Sequence, residues 1–398
     1  MRSFFTEITL RKVIVLIILL ALAITIQGII ASQGDVYTHY NNLIIFKSSF
    51  GHLIHNQNLY LYYPKEYFDL YKYSPAFSVF MAPFYCLPNE VGLFVFNIIN
   101  TGLFVYALLK LKIPHDKLKF LFLFLFLEFG ISVTWVQTNV LITALIILAF
   151  SSLENKKPLL ASLLIVLTVY IKIFGIVAVV LGVFYPNKIR FALYTLLWTV
   201  IFALLPLLVV SKNELLQQYQ NWFNLLKWDH EASYGVSFIG LVHSWFNLNF
   251  SKIGTVAVAA IVFCIPLLQF RCYKLYYFRL QILASLLIWI VIFNHRGESP
   301  TYIIALTGVG IWYFSQPSNA ANKTLLWLCL IFTSFTSTDL ITPGWITEKY
   351  VDTYSIKAVF SIIIWCKLIY ELMTKKQLAS IDWGDAGNKE SVPAQSHA

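Results

Sequence analysis

The sequence predicts an all-α integral membrane protein with about twelve transmembrane helices. Of its 398 residues, 59% are hydrophobic and only 12% are charged, about half the charged fraction of a soluble domain. The apolar residues form stretches of roughly 13 to 20 residues, close to the length that a helix needs to cross a bilayer. These stretches are continuous and do not alternate as the strands of a barrel do, so helices are required. A soluble globular protein is excluded.

Each apolar stretch is predicted to form one span, and together the spans form one membrane domain, residues 1–376. The polar residues 377–398 contain few apolar side chains, and we expect them to form a disordered cytoplasmic tail. The predicted spans are residues 12–31, 91–110, 119–133, 139–153, 157–171, 174–186, 191–210, 253–270, 280–293, 300–314, 324–341 and 355–373.

The distribution of positive charge predicts the orientation. Most of the 29 Lys and Arg residues lie at the termini and in loops on the same side. The positive-inside rule therefore predicts cytoplasmic N- and C-termini in a plasma (inner) membrane, and it offers a reason for the net charge of +10 that involves no nucleic acid. Two long loops, 32–90 and 211–252, then face outward.

The first outer loop is expected to carry a helix at the membrane interface. Residues Pro75 to Leu87 are apolar but too few to cross the bilayer, so we predict an interfacial or re-entrant helix there. A group of tyrosines precedes it, and tyrosine is typical of anchoring at headgroup depth. These are Tyr60, Tyr62, Tyr63, Tyr67, Tyr71 and Tyr73.

Two ionisable residues at the outer ends of spans are candidates for chemistry. Asp35 follows the first span, and Gly34 leaves the backbone free to turn the carboxylate toward the bundle, where it could act as a general base. The alternative is a solvated loop aspartate. Lys172 lies between two short apolar runs, where it either reaches the outer surface or neutralises an anion.

Two turns on the same outer face add further candidates. The turn at residues 294–300 contains His295, Arg296 and Glu298; arginine suits a bidentate grip on phosphate, and histidine can donate another hydrogen bond. A surface loop with a local ion pair remains the alternative. Gln137 and Asn139 place two amides where they could bind hydroxyl groups.

A metal or a cofactor is not expected. His52 and His55 lack further ligands at credible spacing. Whether these histidines, or Asp229 and His230 in the second outer loop, contribute to a site stays open. Nucleotide-binding motifs such as GxxxxGK[ST] and GxGxxG do not occur in the sequence. Because the candidate groups meet on the outer face, a phosphate-bearing lipid fits them better than a nucleotide-activated substrate.

Read in order, the outer-face motifs resemble those of glycosyltransferase family 87, in the multispanning GT-C superfamily. Ser74, Val136 and Phe174 depart from the residues that are common in that family. The matching segments are Gly34-Asp35-Val36-Tyr37, Asn58-Leu59-Tyr60, Tyr73-Ser74-Pro75 with Pro83, Val136-Gln137-Thr138-Asn139, Ile171-Lys172-Ile173, and His295 with Ser299-Pro300.

The resemblance implies a GT-C-like fold and an inverting hexosyltransferase. Its donor would be a hexose, expected to be mannose, on a polyprenyl phosphate, and its acceptor a glycolipid or glycan. Asp35 would be the catalytic base, and Lys172, His295 and Arg296 would bind the donor phosphate. The sugar or the acceptor would contact Tyr37, Tyr73, Gln137 and Asn139. The alternative function is a transporter or flippase for a lipid-linked or phosphorylated solute, which would need a site reachable from both sides.

Overall fold

The computed structural model describes residues 8–32, 37–232, 234–338 and 341–374, without the side chains of 229–232. Within these ranges every regular element is a helix. Asp35 and the predicted tail, 377–398, lie outside the described residues.

The first part of the chain contains eight α-helices. They are α1 (Leu10–Ala31), α2 (Asn41–Ile54), α3 (Pro75–Phe80), α4 (Ala82–Tyr85), α5 (Asn89–Leu109), α6 (His115–Thr134), α7 (Asn139–Glu154) and α8 (Pro158–Ile171).

A 3₁₀ segment, Ile173–Phe184, separates these from the later helices. The later helices are α9 (Lys188–Leu204, extended by a 3₁₀ turn to Leu208), α10 (Lys212–Ala232), α11 (Phe238–Phe246), α12 (Lys252–Cys264), α13 (Tyr276–Ile292), α14 (Tyr302–Phe314), α15 (Ala320–Cys329), α16 (Gly344–Ile346) and α17 (Ile356–Thr374).

Three described helical stretches are long and apolar enough to cross a membrane: Leu10–Ala31, Asn89–Leu109 and Lys188–Leu208. In the first and third, only 22% and 17% of the apolar window is buried inside the protein. Such exposed apolar surface is typical of helices that face lipid. Of the helices in the other predicted spans, α6 and α17 are long enough to cross but carry more charged residues, and the rest are shorter. The number of twelve crossings therefore stays a prediction.

The centre of the bundle is formed by α13 and α14. Their side chains are buried almost all the way round, as expected for helices with neighbours on every side. Gly308 permits their close approach, because a Cβ atom there would lie 2.5 Å from the carbonyl oxygen of Ala284. The turn between these two helices, residues 294–300, is therefore held on a rigid base.

Of the two predicted outer segments, 32–90 and 211–252, the second contains the helices α10 and α11. Leu215 and Trp222, two turns apart on α10, are buried on one face. Between them, Gln218 donates a hydrogen bond to the carbonyl oxygen of Gln57 at 2.8 Å and accepts one from the amide of Leu59 at 3.2 Å. The helix thus packs against the first outer segment.

The predicted role of the tyrosines as exposed interfacial anchors is wrong for Tyr60, Tyr67, Tyr71 and Tyr73. All four are at most 8% exposed. The rings of Tyr60, Tyr71 and Tyr73 pack together. The hydroxyl of Tyr71 donates to the carbonyl oxygen of Ser74 at 2.8 Å, and the hydroxyl of Tyr60 donates to the carbonyl oxygen of Tyr73 at 3.0 Å. The ring of Tyr67 packs against that of Tyr63, with 6.0 Å between centroids. The segment Pro75 to Leu87 forms the two short helices α3 and α4, and its position at the membrane interface stays a prediction.

Candidate active site

Lys172 lies at a break between two helical segments. Helix α8 ends at Ile171, and Lys172 is extended, with φ −139° and ψ 123°. The chain then turns directly into the 3₁₀ segment, where the amide of Gly175 donates to the carbonyl oxygen of Lys172 at 3.0 Å. A Cβ atom at Gly175 would lie 2.2 Å from Oγ1 of Thr168, so the tight break requires glycine there.

The ammonium group of Lys172 is held by two side-chain amides. Its Nζ donates to Oδ1 of Asn139 at 3.0 Å and to Oε1 of Gln137 at 3.2 Å, and it lies 5.9 Å from the ring centroid of Tyr73. Burial lowers the pKa of Lys172, while the negative charge of Glu298 raises it. The structure therefore joins four of the predicted site residues.

The turn that carries the two amides is fixed from both sides. Nδ2 of Asn139 donates to the carbonyl oxygen of Pro300 at 3.1 Å. Nδ2 of Asn42 on α2 donates to the carbonyl oxygen of Trp135 at 2.6 Å. Val136 has a φ of +49°, a backbone conformation that favours glycine. Valine is strained in this conformation, which glycine would adopt readily.

Tyr73 contributes a buried hydroxyl beside this turn. Its oxygen lies 3.3 Å from Oγ1 of Thr138, and its ring stacks on that of Phe77 with 4.6 Å between centroids. Burial raises the pKa of Tyr73, so this hydroxyl stays protonated at neutral pH.

The 294–300 turn lies directly beside the amides. Oε2 of Glu298 accepts a hydrogen bond from Nε2 of Gln137 at 3.4 Å. The backbone amide of Arg296 donates to Oδ1 of Asn294 at 3.0 Å, which shapes the turn. Burial lowers the pKa of Arg296, and the negative charges of Glu298 and Asp69 oppose this. Arg296 thus shares its electrostatic surroundings with the Lys172 group.

His295 and Tyr37 are two predicted site residues on different segments: His295 lies in the turn next to Arg296, and Tyr37 lies near the start of the segment 32–90. His295 is half-buried, and its backbone packs closely against Gly235. A Cβ atom on Gly235, which has a φ of +56°, would lie 2.7 Å from the carbonyl oxygen of His295. Tyr37 belongs to the first outer segment, where its hydroxyl donates to the carbonyl oxygen of Pro64 at 2.9 Å. In the sequence, Asp35 lies between Ser32 and His39. The amide of His39 donates a hydrogen bond to Oγ of Ser32 at 2.7 Å.

Two further charged residues near the site received no role from the sequence. Asp69 has a φ of +84° and accepts a hydrogen bond from Nζ of Lys72 at 3.2 Å. The positive charge of Lys72 also lowers the pKa of Lys172, so the two cations are electrostatically coupled. In the sequence, Asp69 and Lys72 lie just before the Tyr73 motif, and this position could have indicated a role for them.

A buried ion pair beneath the turn was also missed. Glu128 on α6 and Lys357 on α17 are completely buried, with Oε1 and Nζ 2.8 Å apart. Charged residues within apolar runs are functional candidates by default, so this signal was present in the sequence. The same Nζ donates to Oγ of Ser299 at 2.8 Å.

The histidines whose role was open have local partners. Nε2 of His52 lies 3.1 Å from a carboxylate oxygen of Glu66, and Nδ1 of His55 lies 2.7 Å from the carbonyl oxygen of Gly51. Among the described residues no group of three or more His, Cys, Asp or Glu is placed to hold a metal ion. The side chains of Asp229 and His230 lie outside the described residues.

The arrangement combines fixed cations with polar side chains at the ends of helices. Amides that hold an ammonium group in place leave its positive charge available to an anion, and a neighbouring arginine adds bidentate donors. Such preorganised groups can stabilise negative charge that develops on a leaving group. The site is therefore suited to group transfer from an anionic carrier.

Comparison with known families agrees with this chemistry. A sequence model of glycosyltransferase family 87 matches residues 71–309, more than half of the chain. The protein is thus a helical glycosyltransferase with the character of a membrane protein. It belongs to glycosyltransferase family 87. None of the curated proteins matches the sequence significantly. The matched range contains Tyr73, Gln137, Asn139, Lys172, His295 and Arg296, whereas Asp35 and Tyr37 precede it.

Proposed function

We propose that this protein transfers a hexose, mannose, from a polyprenyl phosphate to an acceptor on the outer face of the plasma (inner) membrane. The observation that carries the proposal is the Lys172 ammonium group, held at 3.0 Å and 3.2 Å by Asn139 and Gln137 beside the turn with Arg296. The acceptor is a glycolipid or glycan.

In this proposal Lys172, His295 and Arg296 bind the phosphate of the donor. As the sugar leaves, the electron pair of the broken bond stays on the phosphate oxygen, and the fixed cations stabilise it. A phosphate monoester is already a stable anion, so no general acid is needed. This differs from glycosidases, which protonate a poorer leaving group.

Asp35 acts as the general base. The acceptor hydroxyl attacks the anomeric carbon from the side opposite the phosphate, its proton passes to the Asp35 carboxylate, and the configuration inverts. The contact between Ser32 and His39, together with the tie from Tyr37 to Pro64, supports this role. The first contact joins Ser32 to His39 on either side of Asp35 in the sequence, and the second ties Tyr37 to Pro64 in the same loop, 32–90, which also supplies Tyr73.

The sugar and acceptor hydroxyls contact Tyr37, Tyr73, Gln137 and Asn139. The amide oxygens of Gln137 and Asn139 accept from Lys172, but each carbonyl oxygen has two lone pairs. A hydroxyl can therefore donate to the same oxygen that holds the lysine. This would couple the position of the sugar to that of the phosphate.

The proposed topology has twelve crossings, cytoplasmic termini and an outer site. The weakly buried helices Leu10–Ala31 and Lys188–Leu208 support a membrane location. The orientation depends on the positive charge of the loops. Externally added thiol reagent should label a single cysteine placed at position 50 or 230 in intact cells, and protection of both would contradict the outer location.

The substrate class is tested with membranes that contain the protein. They are incubated separately with radiolabelled mannose on undecaprenyl phosphate, glucose on the same lipid, and GDP-mannose. We expect label from the first in a product that α-mannosidase cleaves, and none when D35N membranes are used. Use of GDP-mannose as the direct donor would contradict the proposal. Movement of labelled lipid without a new glycosidic bond would instead indicate a transporter.

A further inference from the structure

Lys357 and Glu128 form an ion pair in the interior of the protein, far apart in the sequence. Both side chains are 0% exposed, and Nζ lies 2.8 Å from Oε1. The ring of Tyr302 lies 5.3 Å from the same ammonium group. A buried charge without its partner is very unfavourable, so Lys357 is confined to this position once α6 and α17 have packed.

The confined ammonium group reaches the turn of the candidate site. It donates to Oγ of Ser299 at 2.8 Å, one residue after Glu298 and one before Pro300. The carbonyl oxygen of Pro300 accepts from Asn139, which in turn holds Lys172. A chain of direct contacts thus leads from Lys357 to Lys172.

The backbone of the turn is also tied to Val236, just before α11. The amide of Val236 donates to the carbonyl oxygen of Gly297 at 2.7 Å, and the hydroxyl of Tyr302 donates to the carbonyl oxygen of Val236 at 3.0 Å. These contacts fix one side of the turn. Lys357 fixes the other side of the turn at Ser299. Ser299 directly follows Glu298, which accepts a hydrogen bond from the amide of Gln137.

We propose that Lys357 and Glu128 are positioning residues, which place the 294–300 turn so that Arg296 can bind the phosphate of the donor. The proposal rests on the function proposed above. Lys357 lies beyond residue 309, where the match to the family ends. The C-terminal helix α17 would therefore support a site whose proposed phosphate-binding residues, Lys172, His295 and Arg296, all lie within the matched range.

The test separates positioning from stability. Full-length protein in nanodiscs is titrated with undecaprenyl phosphate, and its dissociation constant and melting temperature (Tm) are measured for each variant. K357M leaves Glu128 buried without a partner, so its Tm should fall. The double variant E128Q/K357M removes both charges, and its Tm should recover. Its dissociation constant should nevertheless stay raised by about tenfold, the effect of losing one hydrogen bond to a charged group.

Ser299 gives a milder version of the same test. S299A should keep the wild-type Tm within about 2 °C and raise the dissociation constant by a similar factor, whereas S299T keeps a hydroxyl and should restore affinity. Wild-type affinity in both S299A and E128Q/K357M would show that the pair is only structural, and would overturn the proposal.

A second, partly buried ion pair provides the control. Arg279 and Glu154 are joined at 2.6 Å near the start of α13, roughly 20 Å along the helix from the turn at about 1.5 Å per residue. The double variant E154Q/R279M should leave the affinity unchanged; the same loss of affinity there would overturn the positioning role. K172M is measured in parallel: unchanged affinity in K172M contradicts the proposed phosphate site itself, and with it this inference.

Discussion

Asn139 accepts a hydrogen bond from Lys172 at 3.0 Å and donates one to the carbonyl oxygen of Pro300 at 3.1 Å. One amide therefore fixes the break after α8 and the turn before α14 relative to each other. Because an amide carries donor and acceptor on a rigid plane, it sets both the position of the cation and its distance from the turn.

Replacing Lys172 by methionine should weaken binding of undecaprenyl phosphate by about 10- to 100-fold. The reason is the loss of a charge-assisted contact in a partly buried site. Isothermal titration in nanodiscs measures the change. K65M removes an exposed lysine of the first outer segment and should change affinity less than about twofold. Equal affinities of K172M and wild type would refute the phosphate role.

Glu298 should control the alkaline limit of binding. Its charge raises the pKa of Lys172, which burial lowers. In E298Q the pKa of Lys172 therefore falls further, so the lysine loses its proton at a lower pH. Affinity for undecaprenyl phosphate, measured between pH 7 and pH 10, should begin to decline at a lower pH in E298Q than in wild type. An identical pH dependence, or a shift to higher pH, would contradict the coupling.

Gly175 should be intolerant of a side chain. In G175A the new Cβ atom would lie 2.2 Å from Oγ1 and 2.9 Å from the backbone carbon of Thr168. The break must then shift and move Lys172, so both Tm and phosphate affinity should fall. A Cβ atom at Gly102 on α5 would have no neighbouring atom within 4 Å, and G102A should match or slightly exceed wild-type stability. Equal effects of the two substitutions would argue against a strict requirement at the break.

Helices and the Lys172 site were predictable from the sequence because both depend on local patterns. A continuous apolar run predicts a buried or membrane helix wherever it occurs. Gln137, Asn139 and Lys172 each lie at or next to an end of such a run, and ends that share a face of a bundle bring side chains together. The family motifs add the order in which these ends occur.

The contacts that were missed depend on distant parts of the chain. Nothing near Glu128 indicates that its partner is Lys357, because the pairing arises only when α6 and α17 pack. The burial of Tyr67 and Tyr71 is likewise decided by the packing of the first outer segment on α2. Tyrosine at an interface and tyrosine in a polar core have the same local pattern.

The central claim is that one carboxylate, that of Asp35, removes the proton of the acceptor. The most direct measurement compares D35N with wild type for transfer of mannose from undecaprenyl phosphate and for binding of that donor. E66Q is the matched control, because Glu66 is a carboxylate of the same segment, 32–90, with a histidine partner. We expect D35N to bind the donor with wild-type affinity and to lose at least about 100-fold in turnover, while E66Q keeps most of its turnover. Undiminished turnover in D35N would contradict the account.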